Sequence, residues 1–388
     1  MQTTLREIFL KQNGRSIFLN RSMLQSNFIP SKIPYREEQA KALAKILAPA
    51  VQGEKPSNVM MYGAPGTGKT LVARVVMNEL QEVAKTTNTP LRTVYVNTRL
   101  RRMADTEYRL VAQLARLFGC EIPFTGLPLN EVYSIFFNAV DKPGVLIVFL
   151  DEIDHLLKKS GAEALLNLTS GATKAHISFV GITNNLNTFD NIDTRIRSRL
   201  STEELFFPPY DATQLQEILE LRSAAFRPGT LEPSILPKCA AYAAREHGDV
   251  RRAIELLRIS AEITERNSSE KIIPEYVGKA MEKLELDRVL DVLRTQPLQC
   301  KLVLHAISQG ATTSGDVYEK YNQICQANSI SPLTQRRVAD LVEEMAMLGL
   351  VNTKLLSKGR YGRTREISLS VRQEAKTGLE KYLKAEFS

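Results

Sequence analysis

Apolar and polar positions along the first half of the chain predict strands and helices in alternation. Short apolar runs predict strands at 59–62, 93–97, 145–150 and 177–183. Apolar residues spaced three and four apart predict helices at about 37–52, 104–118 and 129–140, and another that begins near Gly161. The run 145–150 is wholly apolar, which is typical of a strand buried on both faces. The predicted fold class is therefore α/β, with a parallel sheet covered by helices on both sides.

The pattern changes near Pro208 and Pro209, and only helical periodicity remains from about 211 to 285. This span predicts a small helical bundle. From about 287 the chain again mixes helices with two short strands, placed around residues 358–363. The predicted domains are an α/β domain at 1–208, a helical domain at 209–286 and a third domain at 287–388, since 388 residues suffice for two or three cores.

Composition narrows the class of protein. The formal net charge of +8 favours an anionic partner such as nucleic acid, although charge alone is weak evidence. No apolar run is long enough to cross a bilayer, and the first residues lack the pattern of a signal peptide. The four cysteines are far apart and form no paired motif, so we expect reduced thiols in a cytoplasmic protein with no membrane partner.

A glycine-rich loop follows the first predicted strand and precedes an apolar helix start, which is the context of a phosphate-binding loop. Glycines let backbone N–H groups turn towards a polyphosphate, and the helix N-terminus adds partial positive charge. Lys69 is expected at the β- and γ-phosphates, and the Thr70 hydroxyl at Mg²⁺. The predicted ATP or ADP contacts are Gly63, Ala64, Pro65, Gly66, Thr67, Gly68, Lys69, Thr70 and Leu71.

Two carboxylates end the most apolar strand. A buried strand holds such groups rigidly, so Asp151 is predicted to bind Mg²⁺ and Glu152 to orient the attacking water. A solvated acidic strand end is the alternative. Asn184 follows the next strand and is predicted to bridge the γ-phosphate and that water, or else to form a turn.

Arginines after this strand are candidates for stabilising charge in the transition state. Arg195, Arg197 and Arg199 form one cluster, for which a solvated basic turn is the alternative. Arg251 begins a helix of the small bundle and is predicted to reach the phosphates, unless it is an ordinary surface arginine.

These motifs, in this order, resemble the AAA+ ATPases. A closer resemblance, over about 15–388, is to the archaeal and eukaryotic origin-recognition initiator family, in its archaeal single-chain form. It is carried by the segments 33–39, 96–97, 150–154, 248–254, 332–338 and 359–364. The last two are the most specific, because a generic AAA+ protein lacks them. Asn185 and Arg199 depart from the family pattern. Because of the second departure, the resemblance does not single out one arginine as the arginine finger, the residue that stabilises charge in the transition state.

The resemblance implies that 1–208 is the AAA+ domain, 209–286 a helical lid and 287–388 a winged helix. It further implies that Asn184 is the first sensor, Arg251 the second and Arg195 the arginine finger. Arg36, Tyr210 and Arg222 are then further nucleotide contacts. The implied function is an ATPase with slow, switch-like hydrolysis that initiates DNA replication. Its partners would be double-stranded origin DNA, the replicative helicase and other initiator subunits, and it would be associated with the nucleoid.

The third domain itself predicts DNA binding. A helix at about 332–348 has polar residues at its N-terminus, where a recognition helix meets the major groove, and a cationic hairpin follows. The predicted contacts are Thr334, Gln335, Arg336 and Arg337 on the helix, and Lys358, Arg360, Tyr361 and Arg363 on the hairpin. A basic hairpin closing a protein-binding domain is the alternative. The family also places a DNA-contacting helix after the second strand, where Arg101 and Arg102 lie.

Two other functions remain open at this point. One is a remodeller or clamp-loader-like ATPase that acts on proteins, with the C-terminal domain as an adaptor. The other is a DNA-binding regulator that uses ATP only as a ligand.

Overall fold

The computed structural model describes residues 16–25, 28–30, 33–99, 104, 106–123, 126–171, 174–185, 192–357, 363–370 and 373–386. The predicted DNA contacts Arg101, Arg102, Lys358, Arg360 and Tyr361 lie outside these ranges. The chain forms two compact units. The first comprises 18–228 and 236–255, and the second comprises the described parts of 1–17, 229–235 and 256–388.

The first unit contains a sheet and the helices around it. Its strands are β1 Asn58–Tyr62, β2 Leu91–Asn97, β3 Gly144–Asp151, β4 Ala175–Thr183 and β5 Thr202–Phe206. Its helices are α1 Glu37–Leu47, α2 Lys69–Thr86, α3 Glu107–Leu117, α4 Leu129–Val140, α5 Asp154–Ser160, α6 Glu163–Thr169, α7 Thr194–Leu200 and α8 Ala212–Arg222. Residues of α9 Ile235–Arg245 and α10 Val250–Arg266 complete the unit as far as residue 255.

The strands lie in the order β2-β3-β4-β1-β5, and each neighbouring pair is parallel. Their carboxyl ends therefore meet at one edge of the sheet. The register pairs Asn97 with Asp151, and Tyr62, the residue before the loop, with Thr183. This arrangement brings the glycine-rich loop, the acidic end of β3 and the residue after β4 to the same edge.

The wholly apolar run of β3 divides between the two faces of the sheet. Val145, Ile147 and Phe149 belong to the hydrophobic core that includes residues of α1 and α2. Leu146, Val148 and Leu150 belong to the core on the other face, formed with α3 to α6. All six side chains have no solvent exposure, which confirms a strand buried on both faces.

Three elements of this unit were not predicted. Strand β5 is a polar edge strand with largely exposed residues, so it lacks the apolar alternation that identifies a strand. Helix α7 occupies the arginine cluster, for which no helix was predicted, and Asp193 caps it by accepting from the Arg195 backbone N–H at 2.8 Å. Helix α5 begins at Asp154, before the helix predicted near Gly161. Helices this short carry too few periodic positions to stand out.

The second unit contains a helix-turn-helix with a β-hairpin. Its helices are the rest of α10, then α11 Pro274–Arg294, α12 Leu298–Ser308, α13 Ser314–Ala327, α14 Gln335–Met347 and α15 Gln373–Glu386. The hairpin pairs β6 Val351–Ser357 with β7 Arg363–Leu369 in antiparallel register. The two predicted strands are therefore longer and flank the predicted position. The predicted boundary at 286/287 falls inside α11.

One hydrophobic core joins α11 to α15 and the hairpin. It includes Tyr321 of α13, Met345 of α14, Ile367 of β7 and Leu383 of α15, each at most 2% exposed. The hairpin also bonds to the segment before α13, since the Ile367 backbone N–H donates to the Thr312 carbonyl at 2.8 Å. In the part of the chain that is described, no helix has the length and apolarity needed to span a membrane.

Candidate functional site

The glycine-rich loop occupies the turn between β1 and α2. Gly66 and Gly68 adopt φ angles of 72° and 90°, a left-handed conformation that favours glycine. Lys69 begins α2 and is 4% exposed, and its Nζ donates to the carbonyls of Gly63 and Ala64 at 2.8 Å each. Burial, and secondarily the charge of Arg251, lower the pKa of Lys69 to about 8. A desolvated ammonium on the loop is well suited to a polyphosphate.

Both the backbone conformation of Gly66 and the close packing around it favour a glycine at this position. A Cβ atom at this position would lie 1.7 Å from Asp249 Oδ1. The backbone N–H of Val250 also donates to the Gly66 carbonyl at 3.4 Å. The start of α10 thus rests directly on the loop.

We expect Gly66→Ala to weaken nucleotide binding strongly, because the loop or Asp249 must move to admit the methyl group. Gly53→Ala is the matched control, since Gly53 has φ 79° but has no atom within 4 Å of the added Cβ. Both variants carry similar backbone strain, on the order of 1 kcal/mol. Titration with a fluorescent ATP analogue measures the affinities. Equal affinities for the two variants would contradict the steric argument.

The metal-binding residues predicted from sequence lie together. Thr70 Oγ1 donates to Asp151 Oδ2 at 2.9 Å, and the Glu152 backbone N–H donates to Asp151 Oδ1 at 2.9 Å. A hydroxyl and a carboxylate are the hard oxygen donors that Mg²⁺ prefers. Within the described residues, no cluster of three or more His, Cys, Asp or Glu side chains could hold a metal alone. The pair fits a Mg²⁺ that takes its remaining ligands from phosphate and water.

Glu152 has a strained backbone at the end of β3. Its φ is 53°, in the left-handed region that non-glycine residues rarely adopt. Its carboxylate contacts Asn97 Nδ2 at 3.5 Å and Arg99 Nη1 at 3.4 Å. Strain of this kind is often found at functional sites, so it supports a chemical role for Glu152.

Arg36 and Tyr210 meet beside the loop. Arg36 is 2% exposed, and its Nε donates to the Thr67 carbonyl at 2.8 Å. Its guanidinium lies 3.8 Å from the centroid of the Tyr210 ring. Arg222 is placed differently: its Nη1 donates to the Met23 carbonyl at 2.9 Å, and its guanidinium lies 4.6 Å from the ring centroid of Phe28. Those contacts account for its burial without a nucleotide.

Arg251 is held near the loop by Asp249. Its backbone N–H and its Nε donate to Asp249 Oδ1 at 2.8 and 3.3 Å. Because the carboxylate of Asp249 also abuts Gly66, the arginine and the phosphate-binding loop share one neighbour. Sequence reasoning missed Asp249, although it stands two residues before Arg251 in the same helix start.

Asn184 and the arginines of α7 are accessible to solvent. Asn184 is exposed, and its backbone N–H donates to Asp154 Oδ2 at 3.3 Å. Arg195 and Arg199 are also exposed, whereas Arg197 pairs with Glu204 at 2.5 Å. The ion pair gives Arg197 a local partner within its own unit, which leaves Arg195 and Arg199 as the better candidates for a finger.

The predicted recognition helix α14 presents a mixed surface. The Thr334 side chain caps the helix by accepting from the Arg337 backbone N–H at 3.5 Å. Arg337 pairs with Asp340 and Glu344 at 3.7 and 3.6 Å. Gln335 and Arg336 are exposed, and no carboxylate among the described residues pairs with Arg336. Arg363 begins β7 at the wing.

Three family models match successive parts of the chain. The model described as ATPase family associated with various cellular activities matches residues 59–208. The Cdc6 AAA+ ATPase-type lid domain matches 216–282, and the CDC6 C-terminal winged helix domain matches 291–376. The AAA+ domain, the helical lid and the winged helix inferred from sequence are thereby confirmed as the architecture.

Relatives match over nearly the whole chain. An ORC1-type DNA replication protein of Pyrococcus furiosus is 44% identical, covering 95% of this chain and 91% of the relative. An ORC1-type DNA replication protein 1 of Methanosarcina acetivorans is 46% identical, covering 92% and 89%. The Aeropyrum pernix ORC1 protein, solved in complex with DNA, is 42% identical with a TM-score of 0.78, covering 96% and 98%. The chain therefore belongs to the ORC1-type DNA replication proteins, and it is a replication initiator whose AAA+ ATPase domain binds nucleotide.

Proposed function

We propose that this initiator binds duplex origin DNA through its winged helix, and that ATP with Mg²⁺ switches its activity through slow hydrolysis. The nucleotide part of the proposal is supported by the geometry of the first unit. The DNA part is supported chiefly by the exposed start of α14, and by the relative that was solved with DNA.

In the nucleotide site, loop residues 63–70 and Leu71 would hold the phosphates, with Lys69 against the β- and γ-phosphates. Thr70 and Asp151 would hold Mg²⁺, which when bound neutralises charge on the phosphates. Glu152 would accept a proton from the attacking water, and Asn184 would orient that water. Their positions at one edge of the sheet support these roles.

Arginines would complete the site. Arg251 would contact the γ-phosphate from the start of α10, and Arg195 would act as the finger towards a neighbouring initiator subunit. Arg36 and Tyr210 would contact the nucleotide at the loop. For Arg222 the contacts with Met23 and Phe28 favour a structural role instead.

On the DNA side, Gln335 and Arg336 would face the groove and Thr334 would fix the helix start. Arg337 would reach the DNA only by exchanging its carboxylate partners. The predicted wing contacts Lys358, Arg360, Tyr361 and Arg363, and Arg101 and Arg102 after β2, complete the proposed surface. Contacts of this kind reach mainly phosphates, so the affinity would depend steeply on salt.

We expect Arg336→Ala to weaken binding of duplex DNA and to lower the slope of log affinity against log salt by about 1. Arg294→Ala is the charge-matched control, since Arg294 is an exposed arginine of α11 that pairs with Asp291. Fluorescence anisotropy on an origin duplex over a range of salt concentrations gives both slopes. The DNA assignment fails if Arg336→Ala keeps the wild-type slope, or if Arg294→Ala lowers it equally.

The protein partners, the cellular location and the domain boundaries complete the proposal. The replicative helicase and other initiator subunits are the proposed protein partners, at the nucleoid in the cytoplasm. The domain boundaries 1–208, 209–286 and 287–388 remain predictions, and the boundary at 286/287 falls inside α11.

A further inference from the structure

Tyr95 contacts the metal-binding carboxylate from a strand that carries none of the predicted site residues. Its hydroxyl donates to Asp151 Oδ2 at 2.5 Å, the same oxygen that accepts from Thr70 at 2.9 Å. Asp151 is 6% exposed, so these contacts lie largely out of solvent. A hydrogen bond from a neutral hydroxyl to a carboxylate is short and strong, particularly where water is excluded.

Tyr95 is itself held in place. The guanidinium of Arg74, on α2, lies over its ring at 4.6 Å from the centroid. Strand β2 fixes the backbone, since Tyr95 pairs in register with Phe149, two residues before Asp151. The helix thus contacts the ring and the strand fixes the backbone that carries it.

We propose that Tyr95 is a positioning residue for the metal: its hydroxyl orients Asp151 so that the carboxylate and Thr70 present their oxygens to a divalent cation. The proposal rests on the assignment of Asp151 and Thr70 to Mg²⁺. Partners that orient a metal-binding carboxylate commonly change metal affinity when they are removed, even though they never touch the metal.

Tyr95→Phe removes the hydroxyl and keeps the ring beneath Arg74. Tyr133→Phe is the matched control, because the Tyr133 hydroxyl donates to Glu107 Oε1 at 2.7 Å and that carboxylate also accepts from Asn167 at 2.9 Å. Each variant therefore deletes one phenol–carboxylate bond and leaves the carboxylate a second donor. Only one of the two carboxylates is proposed to bind metal.

The measurement is a Mn²⁺ titration of the full chain with substoichiometric ADP, in which electron paramagnetic resonance detects free Mn²⁺. We expect Tyr95→Phe to weaken Mn²⁺ binding by about tenfold, and Tyr133→Phe to leave it unchanged. ADP affinity in EDTA should equal the wild-type value for both variants, because the phosphate-binding loop is untouched.

Three results would overturn the proposal: unchanged Mn²⁺ affinity in Tyr95→Phe, an equal loss in Tyr133→Phe, or an equal loss of ADP affinity in EDTA. The last would make Tyr95 a structural residue of the site.

If Tyr95→Phe does not fold, Arg74→Met provides a second test, because it removes the guanidinium that lies over the Tyr95 ring. That variant should also weaken Mn²⁺ binding, and a wild-type affinity would count against the proposal. Asp151→Asn tests the metal assignment separately. We expect this variant to lose Mn²⁺ binding and still to bind ADP in EDTA.

Discussion

Lys69→Ala is expected to abolish nucleotide binding in the micromolar range. Lys69 is buried on the phosphate-binding loop, so its removal would take away the cation that we propose contacts the β- and γ-phosphates. Truncating one partner of a buried charge pair costs about 2–5 kcal/mol, which corresponds to a loss of affinity of about 30-fold or more. Calorimetric titration with ATP measures it. Lys55→Ala is the control, because Lys55 is an exposed lysine whose Nζ donates to the Thr169 carbonyl.

Proton uptake on nucleotide binding gives an independent test of the proposed contact between Lys69 and the phosphates. Burial is the chief cause that lowers the pKa of Lys69 to about 8, so the free protein carries part of this lysine neutral near pH 8. A bound polyphosphate favours the charged form and raises that pKa. Nucleotide binding near pH 8 should therefore take up protons, and the measured enthalpy should vary with the buffer. Tight ATP binding by Lys69→Ala, or proton uptake unaltered in that variant, would refute the assignment.

Glu152→Gln is expected to lower the rate of ATP hydrolysis by about 100-fold or more while ATP still binds, because an amide cannot accept the proton of the attacking water. Asn97 donates to Oε1 and Arg99 to Oε2 of Glu152, so the single amide oxygen of glutamine keeps one of these two bonds in a side chain of the same size. Single-turnover hydrolysis of labelled ATP measures the effect. Glu203→Gln, at an exposed residue of β5, is the matched control.

The same variant separates the modes of action that the sequence left open. If initiation of replication depends on ATP hydrolysis, Glu152→Gln loses that function. If the protein uses ATP only as a ligand, the variant keeps the function. Steady ATP turnover without DNA, and no footprint on any duplex, would instead favour a remodeller of proteins. Hydrolysis at the wild-type rate in Glu152→Gln would remove this residue from the chemistry.

Most of the architecture could be predicted from local patterns. The loop motif, the wholly apolar β3 and the amphipathic helices each signal their structure over a few residues, and the confirmed fold follows from their order. The elements that were missed have weak local signals. Strand β5 is a polar edge strand held by pairing with β1, and α7 is a single short helix that depends on its cap at Asp193.

The partners of individual side chains were much harder to predict. Arg222 and Arg36 are both buried arginines, but one bonds to Met23 and the other to the phosphate-binding loop. Arg337 resembles Arg336 in the sequence, but only Arg337 faces the carboxylates of its own helix. Such differences depend on which residues from distant segments lie within a few ångströms.

The sequence by itself determined the order of the domains and the family, and it predicted the chemistry proposed here: a loop for phosphates, carboxylates for a metal and for water, and a basic helix start for DNA. These are local properties, because residue type and short-range spacing define them. Only the tertiary structure decided that Asp249 lies against Gly66 and that Tyr95 donates to Asp151. Those contacts join residues 183 and 56 positions apart, and the order of strands in the sheet and the packing of helices upon it set their distances.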